Sequence, residues 1–156
     1  MRNQNGFATL EIIIVMLIIS ALAGVIVPKI TRIVDIANLD YEVKKFRSEF
    51  LFARSLSRSE KFNATIFSSV DSGEAITLHV RNKSYEINRG TNSVRGNNLL
   101  PNGFSITYQK GLDTLIFAQG KILDGKSGTY IFTSPLKNQR NLVLDSVGRL
   151  RIDEND

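Results

Sequence analysis

Sixteen consecutive residues, Ile12 to Val27, carry no charge (IIIVMLIISALAGVIV), and they stand almost at the start of the chain. Extended back to Phe7 the run has 21 residues and one charge, Glu11. At about 1.5 Å per helical residue it spans roughly the ~30 Å hydrocarbon core of a bilayer. The apolar residues are thus unevenly distributed, and that unevenness is the most informative feature of the chain. Composition then limits what the rest can do. There is no cysteine, hence no disulfide framework, thiolate metal site or thiol nucleophile. A single histidine, His79, leaves nothing for a histidine metal cluster or a Ser-His-Asp triad. Asp71, Glu74, Asp113 and Asp124 are scattered over turn-like stretches without calcium-loop spacing, and there is no phosphate-binding glycine loop. The expectation is a non-enzyme with no catalytic residues, no metal and no cofactor.

Three readings of the apolar run compete. In a secretory signal peptide Arg2 is the basic n-region and Ala21-Leu22-Ala23 the cleavage site. In a plain signal anchor the helix is retained uncut. Both leave Glu11 unexplained, because a carboxylate in a membrane helix costs about 2.5–3.5 kcal/mol at the centre and less near an end. The third reading uses the acid. Gly6-Phe7 followed by Ala8-Thr9-Leu10-Glu11 resembles the cleavage and methylation motif of type IV pilins and type II secretion pseudopilins. The resemblance implies a leader of residues 1–6, cut after Gly6 by a prepilin peptidase. It also implies N-methylation of the new terminus Phe7, and Glu11 as the acid that sets register during assembly. Glycine, phenylalanine and glutamate stand at the family's positions; the wording between them differs, F-A-T-L-E against the usual F-T-L-I-E. Pro28 also falls where many members have a proline.

Beyond Pro28, Ile30, Ile33, Val34, Ala37 and Tyr41, then Val43, Phe46, Phe50 and Ala53, recur at helical spacing. Arg32, Asp35, Asp40, Glu42, Lys45, Arg47 and Glu49 occupy the other face. This predicts an amphipathic helix to about Lys61, its apolar stripe on the chain's own sheet. Pro28 removes a backbone donor and is a candidate kink. Arg54, Arg58 and Lys61 suit the negative end of the helix dipole better than they suit an anion-binding stripe.

From Ala64 onward short strands alternate with turn clusters. Ala64–Val70 and Ala75–Val80 read as a hairpin about Asp71-Ser72-Gly73, and Ser84–Asn88 as a strand. Arg89–Asn98 (RGTNSVRGNN) reads as an exposed loop. Phe104–Gln109 and Thr114–Ala118 read as a second hairpin, followed by strands at Gly128–Thr133, Asn141–Asp145 and Arg149–Ile152. The fold class is α+β, a long helix on a head of seven or eight antiparallel strands. Its segments are 1–6 leader, 7–28 transmembrane and polymerisation helix, 29–62 amphipathic stalk and 63–156 head.

Phe52-Ala53-Arg54-Ser55, Ile116-Phe117 with Gly120, Gly128-Thr129-Tyr130-Ile131-Phe132 and the closing segment Leu142 to Ile152 look like GspH/FimT-type minor pseudopilins. The resemblance implies a minor pilin or pseudopilin of a secretion, competence or pilus machine. Its partners would be the prepilin peptidase, other pilin subunits, the inner-membrane assembly machinery and membrane lipid. Its place would be the bacterial inner membrane, single-pass with the head extracytoplasmic, and then a filament. One alternative is a membrane-anchored binding domain that never polymerises. Another is DNA binding, because Gly148-Arg149-Leu150-Arg151 resembles a segment implicated in DNA contact in some FimT-type minor pilins. Arginines at i and i+2 of a strand share a face and can each grip a phosphate. From Lys29 onward 19 basic and 14 acidic residues leave a net +5, but Asp153, Glu154 and Asp156 beside the pair oppose a phosphate backbone. The same arginines also serve simply to keep an edge strand soluble.

Overall fold

The computed structural model describes residues 5–59, 75–109, 112–123 and 125–153; the side chains of residues 5–9 and of Val25 are outside that description. The chain divides into two compact units, Met1–Asp35 and Ile36–Asp156. One helix, α1 (Asn5–Ser59), contributes to both.

In the first unit α1 is apolar and exposed from Leu10 through Val34 wherever side chains are described, apart from polar positions such as Ser20 and Thr31. It is long and apolar enough to cross a membrane. Pro28 lies inside it. The hydroxyls of Ser20 and Thr31 each donate to the carbonyl four residues back, Met16 at 2.7 Å and Val27 at 2.9 Å, so neither presents an unmet donor to the apolar surface.

The second unit is α+β. Its share of α1 packs on a head of nine strands among the described residues: β1 (Ile76–Arg81), β2 (Ser84–Arg89), β3 (Asn92–Leu99), β4 (Ser105–Tyr108), β5 (Thr114–Ala118), β6 (Lys121–Ile122), β7 (Gly128–Thr133), β8 (Gln139–Leu144) and β9 (Leu150–Asp153). They form two antiparallel sheets, β3-β2-β1-β5-β6 and β4-β7-β8-β9. Leu39, Val43, Phe46, Phe50 and Ala53 of α1 are buried with Leu78, Tyr85, Ile87 and Phe117 of the first sheet and Ile106, Tyr130, Phe132, Leu142 and Leu144 of the second. Each such fully buried side chain is worth about 1.5–3 kcal/mol of transfer free energy. Phe46 holds the centre. Its ring lies 5.1 Å from Tyr85, 5.3 Å from Tyr130 and 5.4 Å from Phe132, so it joins both sheets.

Several expectations are corrected. β1 pairs with β2 on one side and with β5 on the other, so Ala75–Val80 has no free edge for a hairpin with Ala64–Val70, which lie outside the described residues. Within Arg89–Asn98, expected to be a loop, lies most of β3. It is an edge strand exposed along nearly its whole length, and a strand buried on neither face needs no apolar alternation. Phe104–Gln109 and Thr114–Ala118 do not pair, because β4 joins β7 and β5 joins β1. The chain changes sheets between them, anchored where the Tyr130 hydroxyl donates to the Leu112 carbonyl at 2.9 Å and the Val80 amide to that of Asp113 at 2.7 Å. On α1, Ile30, Ile33, Val34 and Tyr41 are exposed, whereas Glu42 and Glu49, expected on the wet face, are buried.

Candidate functional site

Two regions carry the residues singled out by the sequence. The first is the start of α1. Gly6 and Phe7 lie in its helical backbone, and nothing further of them is described. Glu11 is exposed and shares a helix face with Ile12, Val15, Met16 and Ile19. A single carboxylate therefore interrupts an apolar surface of the kind that seeks lipid or another helix.

The second is the turn between β8 and β9. Asp145 builds it: its amide donates to the Arg149 carbonyl at 3.0 Å, and its Oδ1 accepts from the Val147 amide at 3.1 Å and the Arg149 amide at 2.7 Å. Gly148 sits at φ +79°, a conformation that residues with a Cβ rarely adopt. β9 begins at Leu150, so Arg149 stands in the turn and only Arg151 in the strand. The strand alternation expected of the pair does not extend to Arg149. Both arginine side chains are exposed, while Leu150 is buried. Arg151 shares a shallow hollow with Val143, Ile152 and Asp153, so an acid stands beside it as the sequence foretold. Glu154 and Asp156 lie outside the described residues.

This turn is tied to α1 by a residue whose role sequence reasoning missed. Arg54, assigned only to the helix dipole, donates from Nε to the Gly120 carbonyl at 2.7 Å and from Nη1 to the Gly148 carbonyl at 3.1 Å. Gly120 lies between β5 and β6, and Gly148 between β8 and β9, so one guanidinium fastens the ends of both sheets to the helix. Ser57 Oγ accepts from the Gly120 amide at 3.1 Å, and Arg58 packs close beside that glycine. Lys61 lies outside the described residues. Two glycine turns far apart in sequence gave no sign that they share a donor. Arg54→Met, which keeps the aliphatic stem and removes both bonds, is expected to cost about 2–3 kcal/mol in urea unfolding, and Arg54→Lys to recover little, since an ammonium cannot fork between two carbonyls.

His79 lies mid-strand in β1 with Nδ1 3.1 Å from the Thr114 hydroxyl, an ordinary cross-strand contact between paired residues. Among the described residues no three histidine or acidic side chains group to hold a metal ion. Comparison with protein-family models, with curated proteins and with solved structures finds no match to this chain.

Proposed function

We propose that the chain is a minor pilin or minor pseudopilin. In this reading it is an inner-membrane precursor, cut after Gly6, methylated on Phe7 and inserted into a short filament of a secretion, competence or pilus machine. The observation that carries the reading is Glu11, the one charge between Phe7 and Val27, set on an exposed apolar helix face. A lone carboxylate there is expensive; paired with an ammonium it is tolerable. Cleavage after Gly6 creates an amine at Phe7, and between neighbouring subunits in a helical array that amine and Glu11 would neutralise each other at one stagger only. The partition of the chain agrees with this role: an apolar helical segment precedes a compact head that buries its own core. The test is the mature terminus. Mass spectrometry of protein from cells containing a prepilin peptidase should find a chain starting at methylated Phe7. A start at Gly24 would establish a signal peptide, and a start at Met1 a plain anchor.

DNA contact through Arg149 and Arg151 is the second reading, favoured by the exposure of both side chains and opposed by Asp153 beside Arg151. A salt-dependent mobility shift lost in the Arg149→Ala, Arg151→Ala double variant would support it.

A further inference from the structure

The buried face of α1 carries a polar fault. Glu42 and Glu49, two helical turns apart, are 4% and 6% exposed, and Tyr85 on β2 is 1% exposed. Glu42 Oε2, Glu49 Oε2 and the Tyr85 hydroxyl are each buried without a hydrogen-bond partner. They concern one another: burial raises the Tyr85 hydroxyl far above its ordinary range, and the negative charges of Glu42 and Glu49 raise it further, with Tyr41 adding a little. Three unmet polar atoms along one helix–strand seam, two of them on carboxylates, is a costly arrangement unless something positive enters.

We propose that the seam between α1 and β2 is a proton-operated joint, closed while Glu42 is neutral and loosened when it is charged. The groups around it decide which acid takes the proton. Glu49 has a cation of its own: its Oε1 is paired with Arg95 Nη1 on β3, and the Arg95 guanidinium lies 4.2 Å over the Phe52 ring. That pair offsets the Glu49 charge. The charge of Glu42 acts on the Tyr85 hydroxyl, and that of Lys45, three residues on along α1, acts on Glu42. Burial raises its pKa above the ordinary 4.5, and Lys45 offsets only part of that. At 4% exposed and with Oε2 buried without a partner, Glu42 is the acid whose charge the seam compensates least, and a neutral carboxyl removes that cost. The sign follows. A carboxyl raised in the folded state contributes stability that is complete below 4.5 and is lost as pH rises through the folded value. Glu42 therefore contributes more to the stability of the head in mild acid than at neutrality, whether or not the chain polymerises.

The test uses the full chain in detergent micelles, melted by circular dichroism from pH 4 to pH 8. Glu42→Gln should melt about 3–5 °C above the unaltered chain at pH 8, and the gap should close by pH 4. Parallel curves for the two would overturn the joint. So would stabilisation of the unaltered chain by sodium, magnesium or calcium at pH 8 that Glu42→Gln abolishes, because the unmet oxygens would then belong to a metal. Should Glu42→Gln fail to fold, a carbon-13 titration of the Glu42 carboxyl in the unaltered protein decides: a midpoint above 4.5 supports the joint, and one at or below it overturns it.

Discussion

A Glu11→Val chain is expected to enter the membrane as well as the unaltered one, to be cut after Gly6, and to disappear from filaments. Insertion should hold or improve because a charge leaves an apolar helix. Cleavage should persist because the peptidase of the resembling family depends on the glycine and the apolar run. Assembly should fail because the Phe7 amine of each neighbour loses its partner. Removing one member of a buried ion pair costs about 3–5 kcal/mol, a factor of hundreds or more in an association constant. Quantitative blotting of sheared filaments against membranes reads the ratio. Processed Glu11→Val protein at unaltered filament levels would remove the pairing mechanism.

The second large effect belongs to the head. Phe46→Ala is expected to destabilise it by about 3–5 kcal/mol in denaturant unfolding, the usual range for deleting a buried phenylalanine. It should exceed Phe50→Ala, because Phe46 lies against the rings of Tyr85, Tyr130 and Phe132 while Phe50, among the described residues, meets one ring, Phe117, edge-on at 5.2 Å. Phe46→Leu should recover much of the loss by refilling most of the volume. An alanine variant that loses less than about 1 kcal/mol would mean that the sheets do not meet at this residue.

What the sequence disclosed and what it hid have physical reasons. The helix was legible as far as Ser59, where the described residues break off, because helical periodicity is a local property. β7, β8, β9 and the β8–β9 hairpin were legible because alternating apolar residues mark the strands and a glycine turn joins the last two. β3 escaped because its evidence is a row of hydrogen bonds to β2 and not a pattern of side chains. The false hairpins arose because a turn signal says that the chain bends, not which strand it meets; the chain around Leu112 bends from one sheet into the other. Glu42 and Glu49 were assigned to water by residue type, although they fall within the stripe of Leu39, Val43, Phe46 and Phe50. In the candidate site Gly6, Phe7 and Glu11 rest on a sequence motif alone, while the clamp by Arg54 needed the coordinates of two distant turns.

The reach of that clamp bears on when the head can fold. Arg54 and Gly148 are 94 residues apart, and the Arg140–Asp40 ion pair closes over 100. A chain emerging from the ribosome, or threading through a membrane N-terminus first, offers α1 long before it offers β7, β8 and β9. Until those strands arrive, Phe46 has Tyr85 available on one side and neither Tyr130 nor Phe132 on the other. Contacts of such sequence separation make for slow, late collapse, and a nascent chain waiting in that state displays an apolar helix face to proteases and to its own copies. The vulnerable interval for this protein is thus its synthesis, and a holding chaperone would have its longest task there.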